Sequence, residues 1–174
     1  DEPDLEFYDG TYLPDGRVIA ISNIGYQGVP CVNGDDAVGN MVLYNPKDKS
    51  MRRLTFDQDA NWNPVIMNNG RVMYTRWEYT DLTHYYSRIV MHMNPDGTEN
   101  KALYGSGAMF PNSTFDIQPL PGHGSAFVGI ISGHHGVARS GRMIIFDPTK
   151  GRKSTAGMVQ EIPHRNRPIK EEIK

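Results

Sequence analysis

Two turn signatures recur along this chain at nearly constant spacing, and that regularity limits the fold more than any local propensity does. The first is a glycine turn leading into an apolar strand. It reads Pro14-Asp15-Gly16-Arg17-Val18, then Asn68-Asn69-Gly70-Arg71-Val72, then Gly122-His123-Gly124-Ser125-Ala126, with Gly16, Gly70 and Gly124 each 54 positions apart. The second is a strand closed by Asn-Pro or Asp-Pro. It runs Met41 to Pro46, Ile89 to Pro95 and Met143 to Pro148, the prolines 49 and 53 positions apart. Proline lacks the N–H that a central ladder needs, so each of these strands must end in a reversal.

A strand precedes each glycine turn, at about 6–13, 61–67 and 113–120. A short strand follows each proline turn, at about 51–55, 101–104 and 158–162. Each unit therefore reads as four strands, a to d, and three units fill 6–55, 61–104 and 113–162. Four-stranded units of about 50 residues are the pattern of β-propeller blades. A twelve-stranded β-sandwich is the competing all-β architecture, but it gives no reason for a constant repeat. The expected fold is all-β: about three four-stranded blades of a larger propeller of six to eight blades. Residues 1–163 form the partial propeller, and the polar segment 164–174 is a linker or tail leading to the next segment. Propellers close with about 4–8 blades. Partners that complete the ring are therefore expected: the remaining blades or domains of a longer protein, or another copy.

Composition agrees and removes several function classes. The 174 residues include 18 Gly, 12 Pro and 9 Tyr, a turn-rich mixture with few windows for a long helix. Eighteen Lys and Arg against 20 Asp and Glu leave a net charge of −2, which argues against a nucleic-acid partner. No apolar run approaches the roughly 20 residues of a membrane-spanning helix. No signal-peptide pattern is visible, and the chain begins at Asp1 rather than Met, as expected of a processed chain. Cys31 is the one cysteine. An intrachain disulfide, a multi-cysteine zinc site and a CxxCH haem attachment are all excluded within these residues.

The run Met51-Arg52-Arg53-Leu54-Thr55-Phe56, followed by Asn61-Trp62-Asn63-Pro64 and Asn69-Gly70-Arg71-Val72-Met73-Tyr74-Thr75, resembles a TolB-like (PD40) propeller repeat, a WD40-like unit. Phe56-Asp57-Gln58-Asp59, Trp77-Glu78-Tyr79-Thr80-Asp81, His92-Met93-Asn94-Pro95-Asp96-Gly97-Thr98 and Ser132-Gly133-His134-His135-Gly136 resemble the middle region of proteins related to the hydrazine synthase alpha subunit. The resemblance spans about 8–163. It implies a bacterial protein exported to the periplasm or beyond, with this piece as a propeller module. Enzymes of that family carry c-type haem through CxxCH motifs, which this chain lacks, so no cofactor is expected within it.

Propeller geometry sends the b–c and d–a connections to one rim, where ligands commonly bind. The a–b and c–d turns go to the other. The expected b–c loops hold Cys31, then Trp77, Glu78 and His84, then His134 and His135; Arg76 stands at a strand end beside them. The d–a connections hold Asp57, Asp59 and Asn61, and later Met109 to Asn112. The expected ligand- or partner-binding residues are His134, His135, Asp57, Asp59, Arg76, Trp77, Glu78 and His84. Thiolate and imidazole together suit zinc or another soft metal, which makes Cys31, His134 and His135 candidate ligands. Each residue also has a plainer reading. Cys31 serves as a small buried hydrophobe, the histidines serve a glycine-flanked turn, and the aspartates anchor their loop through backbone hydrogen bonds. Arg76, Trp77 and Glu78 form an ion pair packed on an aromatic. No GxSxG, P-loop, HExxH or dinucleotide-binding motif is present, and no catalytic residue is identified. The expected function is a binding or scaffolding module of a larger exported protein. The alternative is part of a redox or other enzyme whose active site is completed by another domain, such as one carrying c-type haem.

Overall fold

Alternating apolar residues closed by glycine and proline turns can be buried only as strands, and twelve strands form among the described residues. The computed structural model describes residues 3–78, 88–107, 111, 113–132, 141–153 and 155–162. Blade 1 comprises β1 (Phe7–Tyr12), β2 (Val18–Ser22), β3 (Asn40–Asn45) and β4 (Ser50–Arg53). Blade 2 comprises β5 (Asn61–Ile66), β6 (Val72–Trp77), β7 (Arg88–Met93) and β8 (Lys101–Tyr104). Blade 3 comprises β9 (Ser113–Pro119), β10 (Phe127–Ser132), β11 (Arg142–Phe146) and β12 (Met158–Ile162). Within each blade, sequential strands pair antiparallel. A single parallel bridge, Arg88 to Ser113, ties blade 2 to blade 3. Among the described residues the only helical element is a 3-10 turn, Pro30–Val32. Segment 164–174 lies outside the described residues.

The expected turns form with a shared geometry. Leu13 N–H donates to Arg17 O at 2.8 Å and Gly16 N–H to Leu13 O at 3.0 Å. The pairs Met67–Arg71 and Gly70–Met67 repeat this at 2.8 and 2.9 Å, and Asn94–Thr98 and Gly97–Asn94 at 2.9 Å each. The glycine takes a left-handed φ of 80 to 88° in all three, which side chains beyond Cα resist. The third a–b turn differs from the sequence alignment. It spans Leu120 to Ala126, two residues longer, and its left-handed residue is Gly122 at φ 77°. Gly124 shares the 54-residue spacing but not the conformation. Pro121-Gly122 is the pairing that a type II turn requires, and it displaces the turn glycine by two positions.

The blades stack face to face. Ile19, Ile21, Met41 and Leu43 of blade 1 pack on Val72, Tyr74, Met91 and Met93 of blade 2. Met73, Val90 and Tyr104 of blade 2 pack on Phe127, Ile144 and Phe146 of blade 3. The Tyr104 and Phe146 rings stack there with centroids 4.8 Å apart. Each fully buried large side chain contributes about 1.5–3 kcal/mol, so the interfaces between blades hold most of the apolar stabilisation.

One feature of the first strands escaped the sequence reading. Asp9, Asn63 and Asp116 adopt left-handed φ of 50, 50 and 49°, and each sits where the register of its a strand slips against b. Each follows an aromatic residue, Tyr8, Trp62 or Phe115. That aromatic-Asx pair at spacings of 54 and 53 is the signal that could have revealed the bulge, because Asx tolerates the left-handed region. The Asp9 carboxylate accepts the Asn63 backbone N–H at 3.1 Å, so one blade's bulge holds the next blade's.

Gly39 precedes β3 where Tyr8 and Ile21 close in. A methyl group there would strike the Tyr8 hydroxyl and lie 2.6 Å from Ile21 Cγ2. The tyrosine tip can swing aside, but Ile21 is fully buried. Gly39→Ala is expected to lose about 1–3 kcal/mol in urea unfolding, the usual range for overpacking. Gly10→Ala, where the added methyl meets open space, is expected to lose less. Equal losses would contradict the packing described.

Candidate binding rim

Strand pairing brings the b–c and d–a ends to one rim. Ser22 pairs with Asn40, and the Asn61 N–H donates to Gly39 O at 2.7 Å. Asn61 pairs with Arg76, and Trp77 with Arg88. Arg88 in turn meets Ser113, which pairs with Ser132. Positions nearly a hundred residues apart thus share one edge of the three blades.

A polar network begins in the buried seam between blades 1 and 2. Thr55 Oγ1 accepts the Met41 N–H at 2.8 Å and donates to Asn61 Oδ1 at 2.5 Å. Asn61 Nδ2 donates to Asp57 Oδ2 at 3.0 Å. Asp57 Oδ1 lies 3.5 Å from Arg76 Nη1, and Arg76 Nη2 donates to Glu78 Oε1. Asn40 Nδ2 reaches Asp57 O at 3.3 Å and accepts Arg53 Nη2 on Oδ1 at 2.5 Å. Arg53 Nε also donates to Thr55 O at 2.8 Å. Asp57, Arg76 and Glu78 keep 20 to 30% of their side chains in solvent, so this network reaches the surface while its Thr55–Asn61 root stays dry. Burial, with the Asp57 charge second, pushes the neighbouring Tyr74 hydroxyl pKa well above its ordinary value and keeps it protonated.

Apolar groups frame the network. The b–c loop of blade 1 folds across so that Val29 and Val38 join Trp77, with Trp62 against them. The two indoles stack with centroids 6.2 Å apart. The cation on this aromatic wall is Arg88, with Cζ 4.8 Å from the Trp77 centroid, 5.5 Å from Trp62 and 5.7 Å from Phe115. The sequence reading gave that place to Arg76, which instead turns toward the carboxylates; Arg88 on β7 is the cross-strand partner of Trp77 and shares its face, whereas Arg76 precedes Trp77 on β6 and faces the other way. At the outer edge Arg53 lies 4.7 Å from the centroid of Phe56, which is 74% exposed, and Tyr26 is 66% exposed.

The expected residues thus divide. Asp57, Arg76 and Glu78 meet in one cluster. Asp57 holds its loop through side-chain partners more than through backbone ones. Asp59 is 3% exposed, within the connection itself. Trp77 belongs to β6 rather than to a loop, and it is buried. Cys31 is exposed on the 3-10 turn, so the buried-hydrophobe reading fails for it. His84, His134 and His135 lie outside the described residues, as do Met109 and Asn112. Among the described residues no three His, Cys, Asp or Glu side chains converge as a metal site would require. Asn40, Arg53 and Thr55 were missed, whereas Asn61 joins Asp57 as expected. The Arg53-Leu54-Thr55 run preceding Asn61 was visible, but only the tertiary fold shows that Asn40 closes the circuit.

The opposite rim is built differently. Asp15, Asp48, Asp96 and Asp147 accept N–H groups two residues ahead, and their carboxyl pKa values are lowered first by the side-chain hydrogen bonds of Arg17, Ser50, Thr98 and Thr149, then by these N–H groups. Arg71 spans this end of blade 2, donating to His92 Nδ1 at 2.9 Å, Asn94 Oδ1 at 2.5 Å and Glu99 O at 2.8 Å. Accepting from Arg71 requires a neutral imidazole. Burial, then the Arg71 charge, lowers the His92 pKa from 6.5.

Scans of family models and of curated proteins return no match. Among solved structures, a protein from Agrobacterium tumefaciens with a provisional TolB designation superposes with a TM-score of 0.59 at 14% identity, over 90% of this chain and 50% of that one. The tricorn protease matches with a TM-score of 0.46 at 15% identity, over 80% of this chain and 11% of its own. The first likeness is one of fold: the chain is a TolB-like β-propeller segment spanning about half the length of that protein. Among the described residues, no helix is long and apolar enough to cross a membrane.

Two measurements check this account. Asp57→Ala removes the acceptor for Asn61 and a partner of Arg76. A loss of about 1–3 kcal/mol is expected in urea unfolding, as for a group that leaves a buried donor unmatched; no loss would show that the network carries no stability. His92 titrates below its unfolded value, so the unfolded chain binds the extra proton first as pH falls through 6.5. Its contribution is present above that pH and is lost below it. His92→Gln should therefore flatten the pH dependence of stability just below pH 6.5, read from unfolding midpoints; an unchanged slope would place the proton elsewhere.

Proposed function

We propose that this chain is a binding or scaffolding propeller module of a larger exported bacterial protein, and that a polar ligand or protein segment docks on the b–c rim. The single observation that carries the reading is the contrast between the two rims. On the b–c side, Asp57 and Glu78 from two connections converge with Arg76 at the end of β6, and Arg53 brings the exposed ring of Phe56 beside them. On the other, the acidic side chains mostly cap their own turns. Charged groups beside exposed aromatics are the composition of a recognition surface. The TolB-like fold supports a module of this kind, and the sequence resemblance to hydrazine synthase alpha-subunit proteins supports export and a larger parent protein. Zinc at Cys31, His134 and His135 is a narrower form of the same proposal, in which the thiol and imidazoles of two b–c loops hold the ion.

Peptides selected by phage display on the immobilised chain test the docking reading. Affinity is expected to fall at least about tenfold, or about 1.4 kcal/mol, with Arg76→Ala or Phe56→Ala, and to stay unchanged with Asp96→Ala on the opposite rim. Selected peptides that are sensitive only to Asp96→Ala would overturn it. Zinc titration by calorimetry tests the narrower form. Binding lost in both Cys31→Ser and His134→Ala is expected; binding unaffected by either, or no binding at all, would end it.

A further inference from the structure

We infer that His92 and Arg71 form an acid-sensitive latch, which closes the seam between blades 2 and 3 at the turn rim while the imidazole is neutral and releases it when the imidazole takes up a proton. The inference concerns the rim opposite the docking surface and does not rest on that reading.

The repeat marks His92 as out of place. Three residues before the turn proline stand Leu43 in blade 1 and Ile145 in blade 3, but His92 in blade 2. Leu43 is buried in the core between blades 1 and 2. His92 pairs with Met73, which is buried against blade 3, so the imidazole stands on the seam face of its own sheet. Burial at that position favours an aliphatic side chain, as in the sister blades. The a–b turns differ in the same blade. Arg17 folds back on Asp15, with Nε 2.8 Å from Oδ2. Arg71 is the corresponding turn residue, but the neutral Asn69 stands where blade 1 has Asp15. Its guanidinium reaches instead to His92 Nδ1, Asn94 Oδ1 and Glu99 O, and so ties the a–b turn to the c–d turn.

This tie has a protonation requirement. Nδ1 accepts from Arg71 Nε only while it carries no proton; an imidazolium would oppose two N–H donors across 2.9 Å. The surroundings sharpen the response. Lys101 is the cross-strand partner of His92 on β8. Arg152 acts on it from the c–d connection of blade 3, and Glu99 supplies the opposing charge. The Glu99 carboxylate is already shared by Lys101 at 3.0 Å and Arg71 at 3.7 Å. Asp147 of blade 3 is committed to the N–H and hydroxyl of Thr149. A proton on His92 therefore adds a fourth cation to three that face one carboxylate. Parting them relieves the repulsion: Arg71 withdraws from the c–d turn, and the connection carrying Arg152 moves off. The Arg152 carbonyl accepts the Gly105 N–H at 2.8 Å, so that seam bond opens with it. Arg52 still holds the c–d turn of blade 2 to blade 1 through Asp96 O, which confines the change to the blade 3 side. Protonation of histidine at a packed interface is an established basis for pH switching.

Amide hydrogen exchange of the chain, followed by NMR as pH is lowered from about 7.5 to about 5.5, tests the latch. Relative to intrinsic exchange, the Gly105 amide is expected to lose at least about fivefold in protection, in step with the His92 titration read from its imidazole shifts. The Asn61 amide, which bonds Gly39 O across the seam between blades 1 and 2, is expected to stay protected. His92→Leu installs the residue that blade 1 carries and should keep Gly105 equally protected at both pH values. His92→Gln, which retains an acceptor for Arg71 and does not titrate, gives the same control if the leucine variant lacks a native β-rich circular dichroism spectrum. Protection of Gly105 that does not change with pH, a loss shared by Asn61, or a loss that persists in the folded variant would each overturn the inference.

Discussion

The packing of one four-stranded sheet on the next is the interaction on which everything else in this molecule depends. A blade is apolar on both faces, and alone it would leave each in water. Blade 2 is the one satisfied on both sides: Val72, Tyr74, Met91 and Met93 face blade 1, while Met73, Val90 and Tyr104 face blade 3. Its strands alternate between the two cores residue by residue, as the pleat requires. Among the described residues, blades 1 and 3 each share one buried core with a neighbouring blade. The rims inherit their positions from this stacking, because a sheet fixed at its faces has only its strand ends free to vary.

The two rims use that freedom differently. At the a–b and c–d ends, carboxylates serve short local turns. At the b–c and d–a ends, polar groups reach across from one blade to the next. Thr55 and Asn61 show the division of labour. They bond in the dry seam, and from that anchor Asp57 orients Arg76 toward Glu78 at the surface. A partly exposed ion pair contributes little by itself. Here its geometry is held from below by buried hydrogen bonds, so the charges are presented rather than left to wander. The Trp62–Trp77 stack and Arg88 give the same rim a rigid apolar backing.

Much of the fold was legible because the repeat is a local property. Gly16 and Gly70 announce the same turn wherever they occur, Pro46, Pro95 and Pro148 end the same strand, and each strand falls within a few residues of its expected bounds. The slip at Gly124 is instructive. Spacing alone aligned the third glycine, but turn chemistry is set by the residue that follows Pro121, so the left-handed position moved to Gly122. The aromatic-Asx bulges were equally regular and were overlooked, because Tyr8-Asp9, Trp62-Asn63 and Phe115-Asp116 look like ordinary strand residues until backbone angles are known.

The sequence by itself determined the unit: four strands, two reversals and a repeat of about fifty residues, since these follow from glycine's access to left-handed φ, proline's missing N–H and the two-residue period of a strand. It also determined that the b–c and d–a connections of one blade leave the same end of its sheet, because antiparallel order leaves no other arrangement. Only the tertiary structure decided which of them meet. Asn40 and Asp57 are brought together by the pairing of blade 1 with its outgoing connection, and Arg76 rather than Arg88 faces the carboxylates because Arg88, paired with Trp77 across β6 and β7, lies on the opposite face of the sheet. Those choices rest on register and facing across separate strands. Such relations arise when sheets pack, and no single stretch of chain contains them.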